Sequence, residues 1–304
     1  MAERLTLEIP PEHAGKRLDQ SLALLLPEHS RSRIQQWIEA GEVRLGKAPA
    51  TCKVKVWGGE MVELRPTEHP SEQPYAAEAI GLDIVHEDET VIVINKPPGL
   101  VVHPGAGNWQ GTLLNALLHH APQLTEIPRA GIVHRLDKDT SGLLVVAKTL
   151  TAQTALVRAL QAREVKRIYQ AVARGVFTRQ EGEIDAPIGR HPIHRTRMAV
   201  VEQGKPAQTH FRVLRQYANA AWVECRLRSG RTHQIRVHLA EVGHPLLGDA
   251  VYGARAWRGP AFHRQALHAL RLGFTHPLTG EPVEWEAPLP DDFRALLEEL
   301  DHAS

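Results

Sequence analysis

At 304 residues the chain exceeds the usual size of one domain, so two are expected. Its 42% hydrophobic and 23% charged content is that of an ordinary soluble globular protein, while a formal charge of +1 removes total charge as a sign of a polyanionic partner. Two distant cysteines, Cys52 and Cys225, argue against a disulfide framework or zinc site, and the lack of a signal peptide or of about 18 consecutive apolar residues predicts a cytoplasmic protein with no membrane span.

Charge distribution says more than its sum. Acidic residues collect at Glu60 to Glu78 and Asp291 to Asp301, which leaves the middle of the chain basic. Residues 1 to 9 alternate polar and apolar as a short edge strand would. Leu18, Leu22, Leu25 and Leu26 mark one face of a helix that Pro27 ends. A second helix, capped by Ser30 or Ser32, turns Ile34, Trp37 and Ile38 inward and stops at Gly41. Short strands follow at Val43 to Leu45, Val54 to Val56 and Met61 to Leu64, so residues 13 to 65 read as a compact α/β unit. Residues 66 to 79, with three prolines and few apolar side chains, read as an extended linker.

The larger domain is expected over residues 80 to 295. Leu82 to Asn95 reads as strand, acidic turn, strand, and a Gly-rich loop, HPGAGN, follows Val102. Helices are predicted from Gly111 to His120 and from Thr151 to Gln161. Strand-like runs recur at Arg167 to Val176, Thr196 to Val201, Thr209 to Leu214, Ala221 to Arg228 and Gln234 to Leu239. Strands outnumber helices, which predicts an α+β fold with a mixed, mostly antiparallel sheet.

Residues 131 to 149, GIVHRLDKDTSGLLVVAKT, join a charged turn to an apolar run, Leu143 to Ala147, that has the character of a buried strand. From pattern alone that turn is either a catalytic loop at the mouth of a sheet or a salt-bridged turn without chemistry. Three basic segments follow it in sequence: Arg158 to Arg174, Gly189 to Arg197 and Arg226 to His238. Unopposed arginines of this kind favour a phosphate-rich partner, and arginine suits RNA because it both pairs with phosphate and stacks on bases. The HPGAGN loop lacks the Lys-Ser/Thr of a triphosphate site. The histidines lack ligand spacing for a metal, and Ser141 sits in no nucleophile elbow.

The segment from Arg17 to Pro49 resembles the αL-type RNA-binding module, although Leu45-Gly46-Lys47 stands where an Asn commonly precedes the turn glycine. Arg31 and Arg33, at the start of the second helix, are its candidate RNA contacts. HRLDKDTSGLLVVAKT, NKPPGLVVHPGAG, KRIYQAVARG and GRTHQIRVHLAEVGHPLLGDAVYG resemble, in order and spacing, the RluA-type pseudouridine synthases, most of all the RluD-like branch. The resemblance implies isomerisation of uridines in large-subunit (23S) ribosomal RNA, within a subunit or its precursor, without metal or cofactor. A monomer is expected, since the sequence shows no coiled coil or exposed apolar stripe. The same chemistry on tRNA or another rRNA site, and a non-catalytic RNA-binding assembly factor, stay open as alternatives.

Matched to the family, Asp137 takes the place of the essential aspartate and Tyr169 that of the tyrosine packed on the target base. Arg236 falls where an arginine pairs with the aspartate, with Arg231 as the alternative partner. Arg135 falls where a basic side chain fills the gap left by the flipped base. His134 and Arg231 are read as further RNA contacts, and Asp139 as a brace that caps the turn. An arginine beside Asp137 would favour the ionised carboxylate, which can serve as nucleophile or as base.

Overall fold

The computed structural model describes residues 4–46, 48–65, 75–105, 107–253, 257 and 259–303. Lys47 and residues 66–74 of the expected linker lie outside them. The chain divides into two compact units, Met1–Pro74 and Tyr75–Ser304.

In the first unit, β1 (Leu5–Glu8), β2 (Val43–Leu45), β3 (Ala48–Pro49) and β4 (Met61–Leu64) form an antiparallel sheet in the order β1-β4-β2-β3. Helices α1 (Leu18–Leu25) and α2 (Arg31–Glu39) pack on it. Leu18, Leu22, Ile34, Trp37 and Ile38 are buried with Val43, Val56 and Val62, as their spacing predicts. The hydroxyl of Ser30 accepts the Arg33 N–H at 3.3 Å and caps α2. Val54 to Val56 forms no strand, because its one ladder contact is an isolated bridge from Lys55 to Arg17.

A fully buried carboxylate ties the two helices together. Asp19 takes two hydrogen bonds from Arg17, at 3.0 Å each, and two from Arg31, at 3.1 and 2.9 Å. Gln35 donates to it as well. Burial alone would raise its pKa, but Gln35, Arg31 and Arg17 together hold it below the usual carboxylate range.

The second unit is built on a nine-stranded mixed sheet. Its strands are β5 (Ile84–Glu87), β6 (Val91–Lys96), β7 (Ser141–Ala147), β8 (Lys166–Arg174), β9 (Glu181–Asp185), β12 (Gln208–Gln216), β13 (Ala220–Leu227), β14 (Leu267–Thr275) and β15 (Pro282–Glu286). The order is β5-β6-β7-β14-β8-β13-β12-β9, with β15 on β14; β10 (Ile188–Arg190) and β11 (Met198–Val200) form a separate hairpin. Every pairing is antiparallel except β7 with β14, which meet in parallel at Ser141 and Gly142. Gly142 lies at φ 107°, and a Cβ there would stand 2.2 Å from the Ala269 carbonyl oxygen, so only glycine allows that contact.

Apolar layers cover both faces. On one, α3 (Leu113–His120) and α5 (Gln234–Glu241) pack on Leu144, Val146, Ala171 and Val223. On the other, α4 (Leu150–Ala162) covers Leu143 and Val145, and α6 (Asp291–His302) covers Val172 and Ala220. All seven residues of β7 are therefore buried, and the strand is a rigid base for the turn before it.

Three differences from the sequence reading have physical causes. Gln234–Glu241 is a helix, because Gln234 through Leu239 are all buried and covering on every side erases the one-faced pattern that marks a surface helix. The second unit includes residues 75–79, where the Glu78 carboxylate accepts the Gly111 N–H at 3.0 Å. It also runs past residue 295, because Leu296, Leu297 and Leu300 of α6 belong to its core.

Because the folded Asp19 has a lowered pKa, its stabilisation is present above the unfolded value and is lost as pH falls through the folded one. Asp19→Asn should destabilise the first unit by about 1–3 kcal/mol, the usual cost of lost charge-assisted hydrogen bonds, because the two arginines left behind are half-exposed and can turn to water. Hydrogen exchange of α1 and α2 amides at pH 7 and at about pH 2.5, below the ordinary carboxylate value, is expected to show this loss at pH 7 and a weaker pH dependence in the variant.

Candidate active site

The turn that precedes β7 is braced on every side. Thr140 donates its N–H to the Asp137 carbonyl at 3.1 Å. The Lys138 carbonyl accepts from the Gly99 N–H and from Lys96 Nζ, both at 2.9 Å. Lys96 is itself fully buried at the end of β6, where it also donates to the Pro97 and Leu100 carbonyls at 2.7 and 3.0 Å. Three acceptors thus match the three N–H bonds of its ammonium, while burial pushes its pKa down to about 7 against the pull of Asp139 and Asp137. Arg264 donates to the Asp139 carbonyl at 3.0 Å and pairs with Asp292 through its other nitrogens. Asp139 therefore braces the turn through its backbone carbonyl, not by a carboxylate cap.

This bracing holds Asp137 against α5. Arg236 Nη1 donates to Asp137 Oδ2 at 2.9 Å, while its Nε and Nη2 donate to the two oxygens of Asp249, at 2.7 and 3.0 Å. Asp249 is fully buried and accepts the Val251 and Tyr252 N–H groups at 2.8 and 3.0 Å. The Tyr252 ring lies 5.1 Å from the Arg236 guanidinium. Burial works against both charges, yet Asp249 and Asp137 raise the pKa of Arg236, and Arg236 with the two amides lowers that of Asp249. Arg231 does not reach Asp137. Its Nε donates to the Pro206 carbonyl at 3.1 Å.

A second group approaches the other oxygen. His233, at φ 58° immediately before α5, sets Nε2 3.8 Å from Asp137 Oδ1 and Nδ1 2.8 Å from the Tyr252 hydroxyl. That hydroxyl accepts the Met198 N–H at 2.9 Å, so its own proton is available to His233 Nδ1. This arrangement assigns the proton of a neutral His233 to Nε2, facing Asp137. Burial keeps the ring neutral by lowering its pKa.

Comparison with known proteins fits this geometry. Residues 90–241 match the family model for RNA pseudouridylate synthase, and residues 16–62 match that of the S4 domain. The chain belongs to the RNA pseudouridylate synthase family. It is 57% identical to "Ribosomal large subunit pseudouridine synthase D" of Nitrosomonas europaea, over 97% of this chain and 88% of that protein. Identity to the protein of the same name from Haemophilus influenzae is 54%, over 97% and 94%. The solved structure of Human RNA Pseudouridylate Synthase Domain Containing 1 matches with a TM-score of 0.57 at 31% identity, over 70% of this chain and 86% of that one. Human RNA Pseudouridylate Synthase Domain Containing 4 gives 0.57 at 27%, over 72% and 92%.

In this pseudouridylate synthase, the remaining expected site residues divide. Tyr169 lies on β8, 7% exposed, within electrostatic reach of Asp137 and Arg167; burial raises its pKa, so the phenol keeps its proton at neutral pH. Arg135 is exposed beside the turn. Arg31 is half-exposed and shares Asp19 with Arg17, while Arg33 stacks 4.9 Å from the Trp37 ring. The hairpin of β10 and β11 presents Arg190, Arg195 and Arg197 to solvent, and the Met198 bond to Tyr252 ties it to the site.

His134 has a different task from the expected RNA contact. β14 leaves β7 after Gly142, and the open Val145 N–H is taken by His134 Nε2 at 3.0 Å. Burial, aided by Arg167, pushes its pKa down to about 3. A neutral ring bonded to a strand cannot serve as a cation for phosphate.

Asp249 and Lys96 escaped the sequence reading. The signal for Asp249 was its place two residues before Val251 in GDAVYG, a spacing at which a carboxylate bonds its own following amides. Lys96 was marked by a lone charge ending the apolar run of β6.

With a folded pKa near 3 against an unfolded 6.5, His134 stabilises the protein above pH 6.5, and that contribution falls away as the pH drops toward 3. His134→Gln is expected to flatten the fall in melting temperature between pH 7 and pH 4. An unchanged slope would show that the ring carries a charge in the fold.

Proposed function

We propose that the chain converts specific uridines of large-subunit ribosomal RNA to pseudouridine. The Asp137–Arg236 contact at 2.9 Å, backed by Asp249, is the observation that carries this reading, because it presents one fixed carboxylate at the end of a rigid strand. The printed names of the relatives, which match nearly end to end, and the S4 match support the substrate. A ribosomal substrate in turn supports a cytoplasmic site of action.

The reaction breaks the bond from C1′ of the ribose to N1 of uracil and forms one from C1′ to C5. The C5 proton is lost and N1 gains one, so nothing is oxidised or reduced. A paired target base must first leave its stack, at a cost of a few kcal/mol. Exposed Arg135 would fill the space it leaves, and Tyr169 would meet the flipped ring. Arg236 occupies Oδ2 of Asp137, so Oδ1 is the oxygen left to act as nucleophile or base. The Tyr169 hydroxyl, still protonated, would shuttle the proton at C5.

Incubation with a transcript tritiated at uridine C5 tests the assignment. Asp137→Ala is expected to release no tritium, and a wild-type rate would overturn the catalytic role. Tyr169→Phe should bind the transcript to within about twofold of wild type while slowing release about 10²–10⁴-fold, the usual range for a lost proton-transfer group. Pseudouridine mapping in a deletion strain is expected to show losses in large-subunit ribosomal RNA. Losses confined to tRNA would overturn the substrate.

A further inference from the structure

Three lysine and arginine side chains are buried among the described residues: Lys96, Arg167 and Arg236. Lys96 has three carbonyls and Arg236 two carboxylates. Arg167, 7% exposed, has neither. Its Nε is sealed from solvent with no hydrogen-bond partner, and no described residue accepts from its terminal nitrogens. Burial disfavours its charge, and nearby Arg231 adds to the penalty. A guanidinium cannot relieve that penalty by losing its proton. An apolar side chain of similar length would cost the fold less, so the charge is best explained by an acceptor that arrives from outside.

The surroundings show where that acceptor enters. Gly230 is exposed, and a Cβ at that position would stand 2.5 Å from Arg167 Nη1. The missing side chain leaves a window in the surface over the end of the guanidinium. Arg231, the next residue, brings a second guanidinium to the rim, and no carboxylate is among the charges that act on Arg167. On the inner side, Arg167 and Tyr169 lie two apart on β8 and so share one face of the sheet. An anion at the window is therefore beside the ring that would meet the flipped base.

We infer that Arg167 and Arg231 form a phosphate pocket, opened by Gly230, that takes a phosphodiester of the RNA strand next to the target uridine. This rests on the proposed RNA substrate and deepens it, because it holds the strand by its backbone while Tyr169 engages the base. The pocket reads no sequence, so it contributes to affinity and register and leaves the choice of uridine to other contacts.

Binding of a large-subunit stem-loop transcript, measured across salt concentrations in an Asp137→Asn background, tests the pocket without turnover. Arg167→Met is expected to weaken binding about tenfold and to reduce the slope of log affinity against log salt by roughly 0.7–0.9, one phosphate contact. The same change should raise the melting temperature by about 2–4 °C, since an unpaired buried charge is gone. Gly230→Ala keeps the charge but closes the window, so it should reproduce the loss of affinity and slope without the gain in melting temperature. Parental affinity and slope in both variants would overturn the pocket. A parent that does not bind the transcript would overturn the RNA reading itself, and with it the pocket's ligand.

Discussion

Arg236 joins two carboxylates, and the active site depends on that bridge. Asp249 has no freedom, because it is buried and two backbone amides hold it. Arg236 donates two hydrogen bonds to that fixed point and extends its remaining terminal nitrogen to Asp137. The planar fork of a guanidinium can span both partners at once, which an ammonium cannot. A buried ion group of this kind adds little to stability and much to geometry. The carboxylate that does chemistry is thus located by one that does none.

The backbone repeats the same logic. Asp137 stands on a turn whose carbonyls are held by Lys96, at the end of β6, and by Arg264, which Asp292 of α6 anchors. Beyond the turn, all seven residues of β7 are buried, and Gly142 lets β14 approach closely enough to pair in parallel. His134 closes the strand edge that β14 leaves open. These contacts act together to remove motion from the loop, so that substrate binding need not supply the order.

The fold was legible where one face of an element was apolar and the other polar. α1 and α2 follow their leucine and isoleucine spacing, and β7 follows its unbroken apolar run. α5 was not legible, because burial on all sides removed its period and left Ile235, Val237 and Leu239 alternating like a strand. For the site, the motifs pointed to Asp137 and Arg236, and the bond between them is present. Motif position favoured Arg236 and kept Arg231 as the alternative; Arg231, ahead of α5, turns to the Pro206 carbonyl instead. A histidine beside an arginine looks basic in sequence, while in the fold burial lowers the pKa of His134 and the Val145 N–H occupies its Nε2. Asp249 and Lys96 act through partners far away in the chain, which local pattern does not show.

A double-mutant cycle on the rate of uridine isomerisation tests the bridge most directly, with Arg236→Lys, Asp249→Asn and the pair. If Asp249 acts only by fixing Arg236, its loss should cost about 10²-fold in kcat in the wild type, as for a displaced preorganised donor, and almost nothing once Arg236 is lysine. Independent, multiplying losses from the two substitutions would contradict the account, because Asp137 would then owe its position to something other than this chain of charges.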